Sequence, residues 1–230
     1  MCGRYQLALE LDPIAAAHQA SIEGDFAIRY NVAPTQIVPV VRQWAGQRSI
    51  EGLSWGFRRT VGEVKSSRPL VNARAETIAE KPTFKESFFR RRCVVPASGF
   101  YEWQHVNGYK VPHLIRPNER AWFGMAGIWA RTRTPRGVHD HFAIITCPAT
   151  GSIAEIHHRM PVVLSLEEQG RWLDPASSLT TLHALLTTPC TVHWEVREVS
   201  DRVNKVGHDD ALCESPPSVH SPDFEQQSLF

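Results

Sequence analysis

Asn107-Gly108 separates two runs of strand-forming residues, Phe100 to Val106 and Tyr109 to Ile115. A two-residue type I′ turn needs positive φ at both central positions. Asn followed by Gly accepts them at least cost, so this dipeptide predicts a hairpin. Similar runs recur at Ile37 to Val41, Ile50 to Phe57, Cys93 to Pro96, Trp122 to Trp129, Phe142 to Cys147 and Val192 to Val199. Helical signals are shorter and irregularly spaced. Asp12-Pro13 predicts a helix to about Ala20, with Asp12 as its cap and the proline at its first position. Thr83-Phe84-Lys85-Glu86 has capping-box spacing and leads into Arg90-Arg91-Arg92. Ser165-Leu166-Glu167-Glu168 and the run Leu179 to Leu186 predict two more helices. Strands and helices do not alternate, which argues against a doubly wound parallel sheet. The reading is an α+β fold: a single mixed domain over residues 1–213, with a β-rich, barrel-like core and interspersed short helices.

Composition sets limits on this reading. With 230 residues, 42% of them hydrophobic, the chain can bury a sizeable core. No run of about 18 apolar residues predicts a membrane span, and no basic-then-apolar leader opens the sequence. The five cysteines include no CxxC pair. That usage predicts a reducing, cytoplasmic setting, with neither a disulfide scaffold nor a zinc site. Net charge is +1, yet Gly56 to Arg92 holds ten Lys/Arg against four Asp/Glu, a local +6 that leaves −5 for the rest. Such a stripe suits phosphate binding, and it equally suits a solvated face.

The chain opens Met1-Cys2-Gly3-Arg4-Tyr5. Methionine before a small residue is normally trimmed, which would leave Cys2 with an α-amine and a thiol on adjacent carbons. An aminothiol of this kind traps aldehydes: the amine condenses to an imine and the thiol closes a five-membered thiazolidine. An α-amine has a pKa near ~7.8 against ~10.4 for lysine, so far more of it is unprotonated at neutral pH. Ring closure is intramolecular and costs little translational entropy. Five further segments stand out: Arg29-Tyr30-Asn31-Val32-Ala33-Pro34, Trp55-Gly56, Asn72-Ala73-Arg74-Ala75-Glu76-Thr77, Gly99-Phe100-Tyr101-Glu102-Trp103 and His157-His158-Arg159-Met160-Pro161. Each also has an ordinary reading. Asn-Val-Ala-Pro is a turn before a strand, Glu102 is a carboxylate that alternation turns away from Tyr101 and Trp103 into solvent, and His157 is a structural histidine.

Taken together and in this order, the segments resemble the SRAP family, the SOS response-associated peptidases or abasic-site processing proteins. The resemblance runs from Cys2 to about Asn204. It implies an α/β domain whose β-structure frames a positively charged DNA-binding groove. The implied activity is covalent capture of abasic sites in single-stranded DNA during the DNA damage (SOS) response. It comes with abasic-site lyase character and self-directed peptidase removal of Met1. The ring-opened sugar of an abasic site is an aldehyde, the electrophile an aminothiol suits. By the same resemblance, Cys2 is the nucleophile, Asn72 hydrogen-bonds near it and the captured sugar, Glu102 handles protons, and His157 moves protons around the imine. Arg4, Arg74 and Arg159 match positions that face phosphates, and Thr146 lies in the corresponding active-site strand. No metal or other cofactor is implied. The implied partner is single-stranded DNA containing abasic sites, in a nucleoid-associated location. In one respect the chain departs from the family, whose members often carry base-stacking tryptophans after Trp-Gly. Arg58 to Pro69 has no aromatic residue and offers Arg58, Arg59, Lys65 and Arg68 instead.

Other functions fit parts of the pattern. One is a thiol peptidase or amidohydrolase using Cys2. Another is a non-covalent module for single-stranded DNA. Residues 214–230 hold three prolines, three acids and no Lys or Arg, which predicts a disordered tail. The tail ends Gln226-Gln227-Ser228-Leu229-Phe230. That ending resembles the pentapeptide by which bacterial repair proteins dock on the replication sliding clamp, with Gln226, Leu229 and Phe230 as its anchors.

Overall fold

Asn107 and Gly108 adopt φ values of 49° and 85°, and the strands they join pair in register from Val106 opposite Tyr109 to Phe100 opposite Ile115. The expected hairpin is formed. It belongs to a computed structural model that describes residues 2–57, 60–61, 64–65, 69–134, 137–188 and 191–217. The strands are β1 (Arg4–Leu7), β2 (Ser21–Glu23), β3 (Arg29–Val32), β4 (Ile37–Trp44), β5 (Gln47–Trp55), β6 (Thr60–Val61), β7 (Val64–Lys65) and β8 (Asn72–Arg74). They continue with β9 (Arg92–Ala97), β10 (Gly99–Val106), β11 (Tyr109–Pro117), β12 (Phe123–Thr134), β13 (Gly137–Pro148), β14 (Arg159–Pro161), β15 (Val163–Leu164) and β16 (Trp194–Glu198). Between them lie α1 (Asp12–His18), α2 (Pro82–Arg90), α3 (Gly151–Ile156), α4 (Leu166–Leu173) and α5 (Leu179–Thr187). Among the described residues no helix is long and apolar enough to cross a membrane.

The core is a closed five-stranded barrel in the order β13-β12-β9-β4-β5 and back to β13. Antiparallel neighbours must alternate in direction, and five strands cannot alternate all the way round. One pair is therefore parallel: β5 meets β13 with Ser54 opposite His141 and Trp55 opposite Phe142. β9 is buried at every position, because the barrel lies on one side and α4 on the other, where the Trp172 indole N–H donates to the Cys93 carbonyl at 3.0 Å. A second sheet, β16-β11-β10-β1-β3, lies beside the barrel. β1 is threaded between β10 and β3, so the start of the chain is held inside a sheet. Arg4 is the first paired residue of β1, opposite Tyr101. From Glu102 onward, β10 runs past the start of β1.

Several local expectations are corrected. The N-cap of α1 is Leu11, and Asp12 sits in the first turn beside Pro13 without a capping bond. The helix also stops at His18 rather than near Ala20, because Gln19 takes a left-handed conformation. α2 starts at Pro82 with Lys81 as its cap, and the Thr83–Glu86 capping box is not made. Proline prefers the first helical position, and that places Thr83 two residues beyond the cap. The Ser165–Glu168 box does form, with the Ser165 N–H donating to Glu168 Oε2 at 2.7 Å. Arg92, counted in the basic stripe, is buried. It donates to the carbonyls of Phe89 at 2.6 Å, Trp172 at 2.7 Å and Asp174 at 2.7 Å. It thus caps the carbonyl ends of two helices, α2 and α4. Arg58, Arg59 and Arg68 lie outside the described residues, as do Gln226, Leu229 and Phe230. Ordered packing extends past residue 213: Glu214 pairs with Arg197 at 3.0 Å, and the Ser215 carbonyl accepts the Ser200 N–H at 2.8 Å.

Candidate active site

Cys2 immediately precedes β1 and is completely buried. Burial pushes its thiol well above the ordinary range, and the Glu102 carboxylate pushes the same way. Asn72, the first residue of β8, donates from Nδ2 to the Cys2 carbonyl at 2.9 Å. β8 runs parallel to β13, with Asn72 opposite Ile144, so the barrel fixes the amide that holds Cys2. Asn72 Oδ1 is itself buried without a hydrogen-bond partner among the described residues.

Glu102 does face away from Tyr101. Tyr101 joins a small second core with Leu114, Val199, Val203 and Cys213. The expected solvent is absent on Glu102's side, where the residue is only 3% exposed. Burial lifts its carboxyl to about 7, against the opposing pull of the amino-terminal charge. His157 follows α3, and its Nδ1 lies 3.9 Å from Glu102 Oε1. That Nδ1 lies 3.0 Å from the Arg159 backbone nitrogen and 3.1 Å from the Arg159 carbonyl oxygen, so the Arg159 backbone fixes the orientation of the ring. Burial is the chief reason that the His157 pKa falls below the usual value. A cavity of about 380 Å³ is lined by Glu102, Trp103, His105, Lys110, His157 and Asn204.

The residues expected to face phosphates divide into three groups. Arg74 ends β8 with an exposed side chain. Arg159 is buried and grips both carboxylate oxygens of Glu76, at 3.0 Å to Oε2, as well as the Thr146 carbonyl at 2.6 Å. Its Nε is buried without an acceptor among the described residues. Thr146 is also buried, 3.5 Å from the Ala73 carbonyl. Arg4 is directed inward, donating to Asn31 Oδ1 at 2.7 Å and to the carbonyls of Val203 at 2.6 Å and Asn204 at 3.2 Å. Cys2, Asn72, Glu102 and His157 therefore converge, the buried Thr146 and Arg159 are joined by the exposed Glu76, and Arg4 serves a different contact.

That contact involves residues the sequence reading missed. Asn31 donates from Nδ2 to the carbonyls of Lys205 at 3.1 Å and His208 at 2.7 Å. Asp209 accepts the backbone N–H groups of Tyr30 at 2.6 Å and Asn31 at 2.7 Å. Residues 203–209 thus form a strap across β1 and β3, and Trp103 Nε1 ties Asn204 to β10 at 2.7 Å. The available signal was an asparagine inside a β-run, which when buried needs partners for both ends of its amide.

A small barrel with an adjoining sheet, whose inner strand β1 is preceded by a cysteine held against an amide, a carboxylate and an imidazole, defines a class of protein built around its own first residues. The sequence pattern of the SOS response associated peptidase (SRAP) family matches residues 1–206, and the chain belongs to that family. It is 33% identical over 211 residues to the abasic site processing protein YoqW of Bacillus subtilis (strain 168), spanning 89% of this chain and 94% of the relative. It is 30% identical to the abasic site processing protein HMCES of Gallus gallus, over 87% of this chain and 69% of that one. A crystal structure of a protein from Bacteroides thetaiotaomicron superposes with a TM-score of 0.82 at 26% identity, covering 94% of this chain and 100% of the other.

Proposed function

We propose that this chain captures abasic sites in single-stranded DNA by a covalent bond to Cys2 once Met1 has been removed. The observation that carries the reading is the convergence of Asn72, Glu102 and His157 on Cys2. The relatives named as abasic site processing proteins support it as well.

The chemistry follows from the groups present. The Cys2 α-amine adds to the C1′ aldehyde of the opened sugar, and the resulting carbinolamine loses its hydroxyl as water with a proton from Glu102. The Cys2 sulfur then adds to the imine carbon while its proton passes to nitrogen, closing a thiazolidine with net loss of one water. The raised pKa of the buried thiol favours nitrogen as the first nucleophile, since the sulfur stays protonated until the imine has formed. The lyase branch leaves from the imine: loss of a C2′ proton expels the 3′ phosphate. A peptidase mechanism needs a thiolate–imidazolium pair. Burial opposes that pair at both partners, raising Cys2 and lowering His157. Asn72 Oδ1 and Arg159 Nε, a buried acceptor and a buried donor, are suited to groups of the DNA.

The test is intact mass spectrometry and denaturing electrophoresis after incubation with abasic single-stranded DNA. The expected result is a species lacking Met1 whose mass is that of protein plus DNA less one water. It should be absent for Cys2→Ala. A protein that keeps Met1 and still cross-links would overturn the role of the amine. Clamp docking through Gln226, Leu229 and Phe230 is a separate proposal. Deleting residues 226–230 should abolish binding to the clamp and leave cross-linking unchanged.

A further inference from the structure

We infer that the cavity beside the β10–β11 hairpin holds a phosphodiester of the DNA strand, with Lys110 as its cationic ligand. The inference rests on the function proposed above and specifies where the strand leaves the reacting residues. Glu102 and His157 line one part of the cavity, and Trp103, His105, Lys110 and Asn204 line the rest. The cavity runs from Glu102 and His157 to the hairpin, so a nucleotide whose sugar sits at those two residues can set a neighbouring phosphate against the hairpin. A volume of about 380 Å³ lies within the range of small-molecule sites.

His105 and Lys110 are directly opposed across the two strands, so both side chains project from one face, with Trp103 two residues along on the same face. Both are exposed, and neither forms a salt bridge among the described residues. The support beneath them is firm. They stand one residue from a two-residue turn in full register, and the Trp103–Asn204 bond fixes the adjoining wall. Glu102 is the one acid lining the cavity, and burial keeps much of it protonated near neutral pH, so it repels a phosphate less than an exposed carboxylate does. A lysine ammonium is a compact point charge suited to phosphate oxygens. Lys110 lies outside the basic stripe of residues 56–92 and so adds a contact that charge counting along the chain does not reveal.

The test is fluorescence anisotropy with an undamaged single-stranded oligonucleotide over a salt series. The proteins compared are the unmodified chain, Lys110→Glu, Lys110→Arg and Arg120→Glu. Arg120 is exposed beyond the far end of β11, which makes it the control for charge reversal in general. Lys110→Glu should weaken binding at least about tenfold at low salt and reduce the salt slope by about 0.7, the increment for one phosphate on a single strand. Lys110→Arg should stay within about twofold, and Arg120→Glu should match the unmodified chain. Equal effects of Lys110→Glu and Arg120→Glu, or no effect of Lys110→Glu, would overturn the subsite. Because the DNA is undamaged, the outcome is independent of capture. Failure of Cys2-dependent cross-linking sinks the proposed function and leaves this measurement standing.

Discussion

Glu102 ties stability and chemistry together in one side chain. Its carboxyl titrates near about 7 in the fold and near ~4.3 in an unfolded chain. Between those values the native state holds a proton that the unfolded state has lost, so stability falls as pH rises through that window. Glu102→Gln should therefore raise the melting temperature at pH 8 and lower the capture rate about 100-fold, within the range for general acid–base groups. Capture by the unmodified chain should decline above about pH 7, where the proton that expels water is lost. A Glu102→Gln variant with the same pH profile would exclude Glu102 as that acid. Two arginines make a contrasting pair. Arg159→Ala leaves the buried Thr146 carbonyl without its donor and should cost on the order of 2 kcal/mol in urea unfolding. Arg74→Ala should change stability by less than about 0.5 kcal/mol while reducing the salt slope of DNA binding by about 0.7. At this scale Cys2 stood out by its aminothiol chemistry and Asn72, Glu102 and His157 through the family resemblance, and the structure brings the four side chains together. The burial that tunes them was not legible, since alternation along β10 defines a face without saying what covers it.

Among the elements, the hairpin and the Ser165 cap were legible because each is decided within four residues. The starts of α1 and α2 misled because proline selects the first turn more strongly than the polar residue beside it. β1 and the strap were illegible for the opposite reason. Arg4 reaches acceptors 199 and 200 residues along the chain, and no local pattern encodes such a partner. The strap should behave as a separable unit. Asn31→Ala removes the amide that satisfies its carbonyls and orients Arg4. The expected cost is about 2–3 kcal/mol from several buried hydrogen bonds, with limited proteolysis newly cutting within residues 203–209. Cleavage rates there identical to the unmodified chain would show that the strap does not depend on Asn31. The strap also supplies Asn204 to the cavity wall, so its loosening should raise the concentration of DNA needed for half-maximal capture.

For the whole molecule, near-neutral net charge means that attraction to DNA must come from a local surface. The segment Arg58 to Pro69 has four cations and no aromatic residue, where the family resemblance implies stacking tryptophans. Stacking is worth roughly 1–3 kcal/mol per base and depends little on salt, whereas phosphate contacts depend on it steeply. DNA binding should therefore fall more steeply with salt than in a tryptophan-bearing relative titrated side by side, and a shallower slope would contradict this. The sequence by itself determined the strand-rich α+β class, the turn at Asn107-Gly108 and the inventory of reactive groups, because these follow from backbone preferences and functional-group chemistry acting over a few residues. The tertiary structure alone decided three things: that a parallel β5–β13 pair closes the barrel, that Arg4, Arg92 and Arg159 are held by internal acceptors, and that Glu102 is shielded from water. Burial and long-range hydrogen bonding belong to residues that meet only when distant strands are brought together, and they decide which charges remain for a ligand.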